Sequence, residues 1–163
     1  MPAPVLEIYG KLTRWPLGHW VFSKAVCFKA PYFGSISPTI TRLENGRCEA
    51  RIKDRRAVHN HIGTVHAIAL CNLAELCAGL MTDASLPDGM RWIPKGMTVS
   101  YLKRAKGTMH AVATPAIPVV RATESYDLPV NVDVLDDAGE KVFQAEIRMW
   151  LSPKPVRSAR PDR

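Results

Sequence analysis

Several features that would fix this chain's class at a glance are missing from it. Its four cysteines, Cys27, Cys48, Cys71 and Cys77, show no CxxC spacing, so neither a thiolate zinc site nor a dithiol redox motif is present. Cys71 and Cys77 stand six apart, which points them to different faces of one helix. All four are expected as buried free thiols in a reducing compartment. The N-terminus carries no signal-peptide pattern, and no apolar run reads as long enough to span a membrane, so a cytoplasmic protein without a membrane partner is expected. Aromatic residues make up only 7%, with no basic stripe in which they interleave, and no nucleic-acid partner is expected. No internal repeat is found.

What is present describes one ordinary globular domain. The chain has 163 residues, 47% apolar and 23% charged, enough to bury a single core. Its net charge is +7, to which residues 153–163 contribute Lys154, Arg157, Arg160 and Arg163 against Asp162. The remaining body is still basic, which favours anionic ligands such as phosphorylated cofactors. The Pro- and Arg-rich end, 153–163, is expected as a disordered tail.

One stretch organises the rest. From Val65 to Met81 the residues are helix formers or small, with no Pro and no Gly before Gly79. These seventeen residues predict a helix about 25 Å long. Only His66, Asn72 and Glu75 interrupt its apolar surface, so it is expected in the middle of the domain. A carboxylate there must be bonded, paired or functional. Glu75 is therefore the residue to explain, and Asn72, one turn earlier, is its expected hydrogen-bond partner.

Around this helix the period changes. Val5, Ile8, Tyr9 and Leu12 predict a short amphipathic helix. Pro16 opens a second helix with Leu17, Trp20, Val21, Ala25 and Phe28 on one face, ended by Pro31. These helices, residues 1–34, either cover an apolar edge or make a subunit contact. Cys48, Ala50 and Ile52 alternate with charged residues, and Asn45-Gly46 predicts a hairpin with Ser35 to Glu44. Four more strands follow the long helix: Met97 to Tyr101, Thr108 to Thr114, Val130 to Val134 and Phe143 to Met149. Pro115 and Pro118 mark an edge or an exit. The reading is α+β, an antiparallel sheet wrapped around one long helix, over residues 35–152.

The stretch Asn60-His61-Ile62-Gly63-Thr64-Val65-His66-Ala67, with an acid nine positions after His66, resembles the signature of hotdog-fold acyl-CoA thioesterases of the phenylacetate-pathway type. Met97 to Gly107 resembles the strand and turn that follow the helix in that family. The resemblance implies a hotdog fold, a homodimer with its two helices side by side, and often a homotetramer. It implies Glu75 as the catalytic acid and Asn60 as the residue that places the attacking water. His66 and the backbone N–H of Ala67 match the helix-start elements beside the thioester carbonyl. Two departures stand out: the family's paired glycines are Ala67 and Ile68 here, and Pro94 falls where a hydroxyl residue often stands.

The chemistry fits those positions. A helix N-terminus offers free N–H groups and partial positive charge to an oxyanion. Glu75, about two and a half turns further on, would serve a thioester across the dimer interface, where partial burial raises a carboxylate toward a useful base. The alternative is a structural Glu75. Lys103, Arg104 and Lys106 could receive the phosphates of coenzyme A, which enters as part of the substrate; no other cofactor is expected. His59, His61 and His66 with Glu75 match no common ligand spacing, and no metal is expected. Against the thioesterase stands a non-catalytic hotdog module that binds an acyl or acyl-CoA ligand. A dehydratase motif is not found.

Overall fold

The computed structural model describes residues 3–155. Pro4 at the first turn opens α1 (Pro4–Leu12), and a tight connection leads to α2 (Gly18–Lys29). The periodicity correctly locates a stripe on α2, but that stripe faces outward. Gly18, Phe22 and Ser23 are buried, whereas Leu17, Trp20, Val21 and Ala25 are exposed and Phe28 is 91% exposed. Periodicity defines a face without saying which way it turns. Pro31 ends α2 and starts a 3-10 turn, Pro31–Ile36, so the helical segment passes residue 34 and the first strand begins later than Ser35.

Gly46, at φ +77°, supplies the left-handed residue that a two-residue Asn-Gly turn needs. Across it β1 (Thr39–Glu44) pairs antiparallel with β2 (Arg47–Ile52), Glu44 facing Arg47. The long helix, α3 (Ala67–Ser85), starts two residues later and ends four later than expected. Its nineteen residues are long and apolar enough to cross a membrane, contrary to the sequence reading, and 72% of that window is buried inside the fold. Four strands follow: β3 (Met90–Tyr101), β4 (Met109–Pro115), β5 (Tyr126–Leu135) and β6 (Lys141–Pro153). All pairings are antiparallel, in the order β1-β2-β4-β5-β6-β3. Pro115 thus marks an exit from an interior strand. The expected tail lies outside the described residues from 156 onward.

The core lies between α3 and the concave face of the sheet. Leu73, Leu76, Cys77 and Met81 meet Ile52, Met109, Val132 and Phe143, all almost fully buried. Each large side chain so buried contributes roughly 1.5–3 kcal/mol. Among the thiols only Cys48 and Cys77 are buried; Cys27 and Cys71 are half-buried, which corrects the expectation for those two. A hydrogen bond with Cys77, and then burial, holds the Cys48 thiol well above its ordinary pKa. At the edge, β3 is twelve residues long and, among the described residues, pairs on one side only, with β6. A bulge between Pro94 and Gly96 restores its register, so Trp92, Met97, Val99 and Tyr101 all face the same side as the buried residues of β6.

Candidate active site

The loop before α3 is tied by its own polar side chains. Asn60 Oδ1 accepts the backbone N–H groups of Ile62 and Thr64, each at 3.1 Å, and its Nδ2 donates to Thr64 Oγ1 at 2.8 Å. This asparagine closes the 60–64 turn. The neighbouring 103–107 turn is fastened to the same loop: Val65 N–H donates to the Ala105 carbonyl at 2.9 Å, and Asp54 accepts both Gly107 N–H at 2.9 Å and His59 Nε2. The His59 hydrogen bond, then the Gly107 N–H, hold the Asp54 carboxyl below the ordinary carboxylate range.

These ties aim the start of α3. His66 is its N-cap, and the ring Nδ1 accepts the Ile68 N–H at 3.0 Å, leaving Nε2 to carry the proton of the neutral ring. The Ala67 N–H has no acceptor among the described residues. A nineteen-residue helix thus points one unpaired donor and its positive end outward.

Glu75 lies elsewhere on the helix. Eight residues after Ala67, it stands about 12 Å along the axis, on the flank that runs beside β3. Contacts along that flank form a ladder. Cys71 Sγ lies 3.3 Å from Tyr101 Oη, Glu75 borders a cleft with Pro94, Gly96 and Met97, and Asp83 accepts Trp92 Nε1–H at 2.5 Å. Its hydrogen bond to Cys71, and then burial, raise the Tyr101 phenol to about 12, so it stays protonated at neutral pH. Gly79 lets the Trp92 ring approach the helix, since a Cβ there would lie 3.1 Å from the indole edge. Between this flank and the N-terminal helices opens a cavity of about 300 Å³, lined chiefly by Val26, Ala30, Phe33, Leu76 and Trp92, with Glu75, Asp83 and Lys29 as its ionisable residues.

The expected burial of Glu75 is not found in the single chain. Glu75 is exposed and makes no hydrogen bond or ion pair among the described residues, because α3 leaves its β3 flank uncovered. Asn72 is not its partner. About 60° round the helix from Glu75, Asn72 is buried and donates to Ser35 Oγ at 3.2 Å, with its Oδ1 unpaired. His66 lines a different recess, of about 190 Å³, with Tyr32, Ser35, His59 and Asn72. The structure therefore brings Asn60, His66 and Ala67 together at one end of α3 and sets Glu75 apart. Of the three basic residues, Lys103 is paired with Glu140, while Arg104 and Lys106 are exposed and unpaired among the described residues. Among the described residues no three His, Cys, Asp or Glu side chains gather as a metal site. Sequence reading missed Trp92 and Asp83, because Pro94 and Gly96 mask the strand that carries the indole.

Comparison with solved structures gives many neighbours of this fold. The structural-genomics protein APC5556 is 45% identical, with 92% of this chain and 98% of that chain covered at a TM-score of 0.78. A Pseudomonas aeruginosa protein described as a probable thioesterase is 23% identical, with 78% and 91% covered at 0.69. A Haemophilus influenzae thioesterase is 14% identical, with 78% and 87% covered at 0.66. The six-stranded antiparallel sheet around a central helix is the hotdog layout of the neighbours described as thioesterases. A comparison with curated proteins gives no match. The domain of unknown function DUF4442 matches residues 18–151, from the start of α2 almost to the end of β6, and the chain belongs to that family.

Proposed function

We propose that this protein hydrolyses acyl-CoA thioesters at a site completed by a second copy of the chain, with Glu75 as general base or nucleophile. The observation that carries the reading is the unpartnered Glu75 carboxylate on the open flank of an otherwise apolar helix, beside an apolar cavity. Acting as base, Glu75 takes a proton from water while the oxygen attacks the thioester carbonyl. The tetrahedral oxyanion then collapses, the C–S bond breaks, and the leaving thiolate takes up the proton.

The oxyanion needs N–H donors within hydrogen-bond reach. Ala67 of the same chain lies about 12 Å away along the helix and cannot reach a carbonyl held by Glu75. Ala67 of the partner subunit can, if two helices lie antiparallel across a two-fold axis. The unpaired β3 edge and the exposed side chains of Ile68, Met97 and Tyr101 suit such pairing. Arg104 and Lys106, beside the helix start, would then meet the coenzyme A phosphates, with Asn60 holding the loop and the attacking water in register. The thioesterase descriptions of the structural neighbours support the same reading.

A second reading, a non-catalytic acyl-binding module, is favoured by one observation: Ile68, 55% exposed, narrows the approach to the helix start. Release of free thiol from a panel of acyl-CoA esters separates the two. Hydrolysis is expected, and Glu75→Gln should lower kcat by about a hundredfold or more. A folded dimer that releases no thiol from any ester overturns the proposal in favour of the binding module.

A further inference from the structure

We propose that the cavity beneath the two N-terminal helices holds the acyl group, and that those helices make the enzyme selective for an apolar acyl chain of medium length. The proposal rests on the hydrolysis reading for the position of the thioester carbon. Glu75 borders both this cavity and the adjoining cleft with Pro94, Gly96 and Met97. A thioester whose carbonyl lies at Glu75 therefore has one arm in each. The cavity is mostly apolar, and two of its three ionisable residues are the carboxylates Glu75 and Asp83, with Lys29 the third. That lining repels the polyanionic coenzyme A and accepts a hydrocarbon. The acyl arm goes inward and the coenzyme A arm outward.

Length is set by the walls. Val26 of α2, Ala30 at its C-cap and Phe33 of the 3-10 turn close one side. On the other, Trp92 packs against the α3 backbone at Gly79 and is pinned through its Nε1–H to Asp83. At about 300 Å³ the space sits at the low end of the range for ligand pockets, roughly 300–1,000 Å³. A pocket at that end of the range suits an acyl chain of medium length better than one as long as palmitoyl. The N-terminal helices thus serve as a ruler.

Three measurements test this. Across butyryl-, octanoyl- and palmitoyl-CoA, kcat/KM should peak at octanoyl by about tenfold on either side. Ala30→Phe, which fills the cavity from the wall at the end of α2, should lower the octanoyl-to-butyryl ratio by at least about tenfold. Independently of turnover, octanamide should shift the indole N–H resonance of Trp92, assigned by its loss in Trp92→Phe. A shift of that resonance with no thiol release from any ester keeps the cavity and overturns the hydrolysis. Thiol release with a flat chain-length profile, an unchanged ratio in Ala30→Phe and an unmoved resonance keeps the hydrolysis and overturns the cavity.

Discussion

Along the flank of α3 that meets β2 and β4, Leu73, Cys77 and Met81 are fully buried, whereas along the flank beside β3, Ile68 and Glu75 are exposed and Cys71 is half-buried. Both flanks are apolar in sequence. The difference comes from the sheet: α3 lies over β2, β4 and β5, and β3 stands beyond β6 at the far edge. A helix that is apolar all round therefore need not be covered all round by its own chain. One flank makes the fold, and the other stays open in the single chain.

The comparison is most sharply tested by stability. Leu73→Ala on the closed flank should cost on the order of 3 kcal/mol or more in urea unfolding, while Cys71→Ala on the open flank should cost less than about 1 kcal/mol. Equal costs would erase the distinction. Activity should reverse the ranking. Glu75→Gln should lose about a hundredfold in hydrolysis with stability within about 0.5 kcal/mol of wild type; a comparable loss of folded protein would make Glu75 structural. Next comes the edge strand. Met97→Lys, at a side chain 40% exposed in the single chain, should shift sedimentation from dimer to monomer at micromolar concentration and reduce hydrolysis with it. A dimer unaffected by this charge would place the subunit contact elsewhere.

The smallest effect concerns the loop that aims the helix start. The folded pKa of Asp54 is depressed, by His59 and then the Gly107 N–H. Its contribution to stability is therefore full above the unfolded carboxyl pKa of about 4 and fades as pH falls through the lower folded value. Wild type should melt above Asp54→Asn at pH 7, by an amount worth less than about 1 kcal/mol at this solvated position. The gap should narrow as pH falls below the unfolded carboxyl value of about 4. A gap that widens in acid would reverse the assignment.

Much of the layout was legible because it follows from local chemistry. Gly46 after Asn45 permits one turn, and β2 after it alternates by two with Cys48, Ala50 and Ile52 buried, whereas a bulge between Ile40 and Arg42 breaks the alternation of β1. The start of β3 was hidden because Pro94 and Gly96 look like breakers and the bulge between them interrupts the alternation. On α2, spacing found the apolar stripe but could not show that Phe22, off that stripe, is the side chain that docks. Asn72 was assigned to a neighbour three residues away, while its partner, Ser35, lies thirty-seven residues away in sequence. Of the candidate site, Glu75 stood out as an acid in apolar surroundings, and the cavity beside it did not.

The sequence by itself determined most of the helices and strands, the Asn45-Gly46 turn and the apolar character of α3, because each depends on residues within a turn or two of one another. Only the tertiary structure decided which flank of α3 is sealed, where the N-terminal helices lie against it, and that Glu75 stands exposed beside a cavity. Those outcomes depend on where a curved sheet ends relative to the helix it wraps, and that is settled by pairings between residues far apart in the chain.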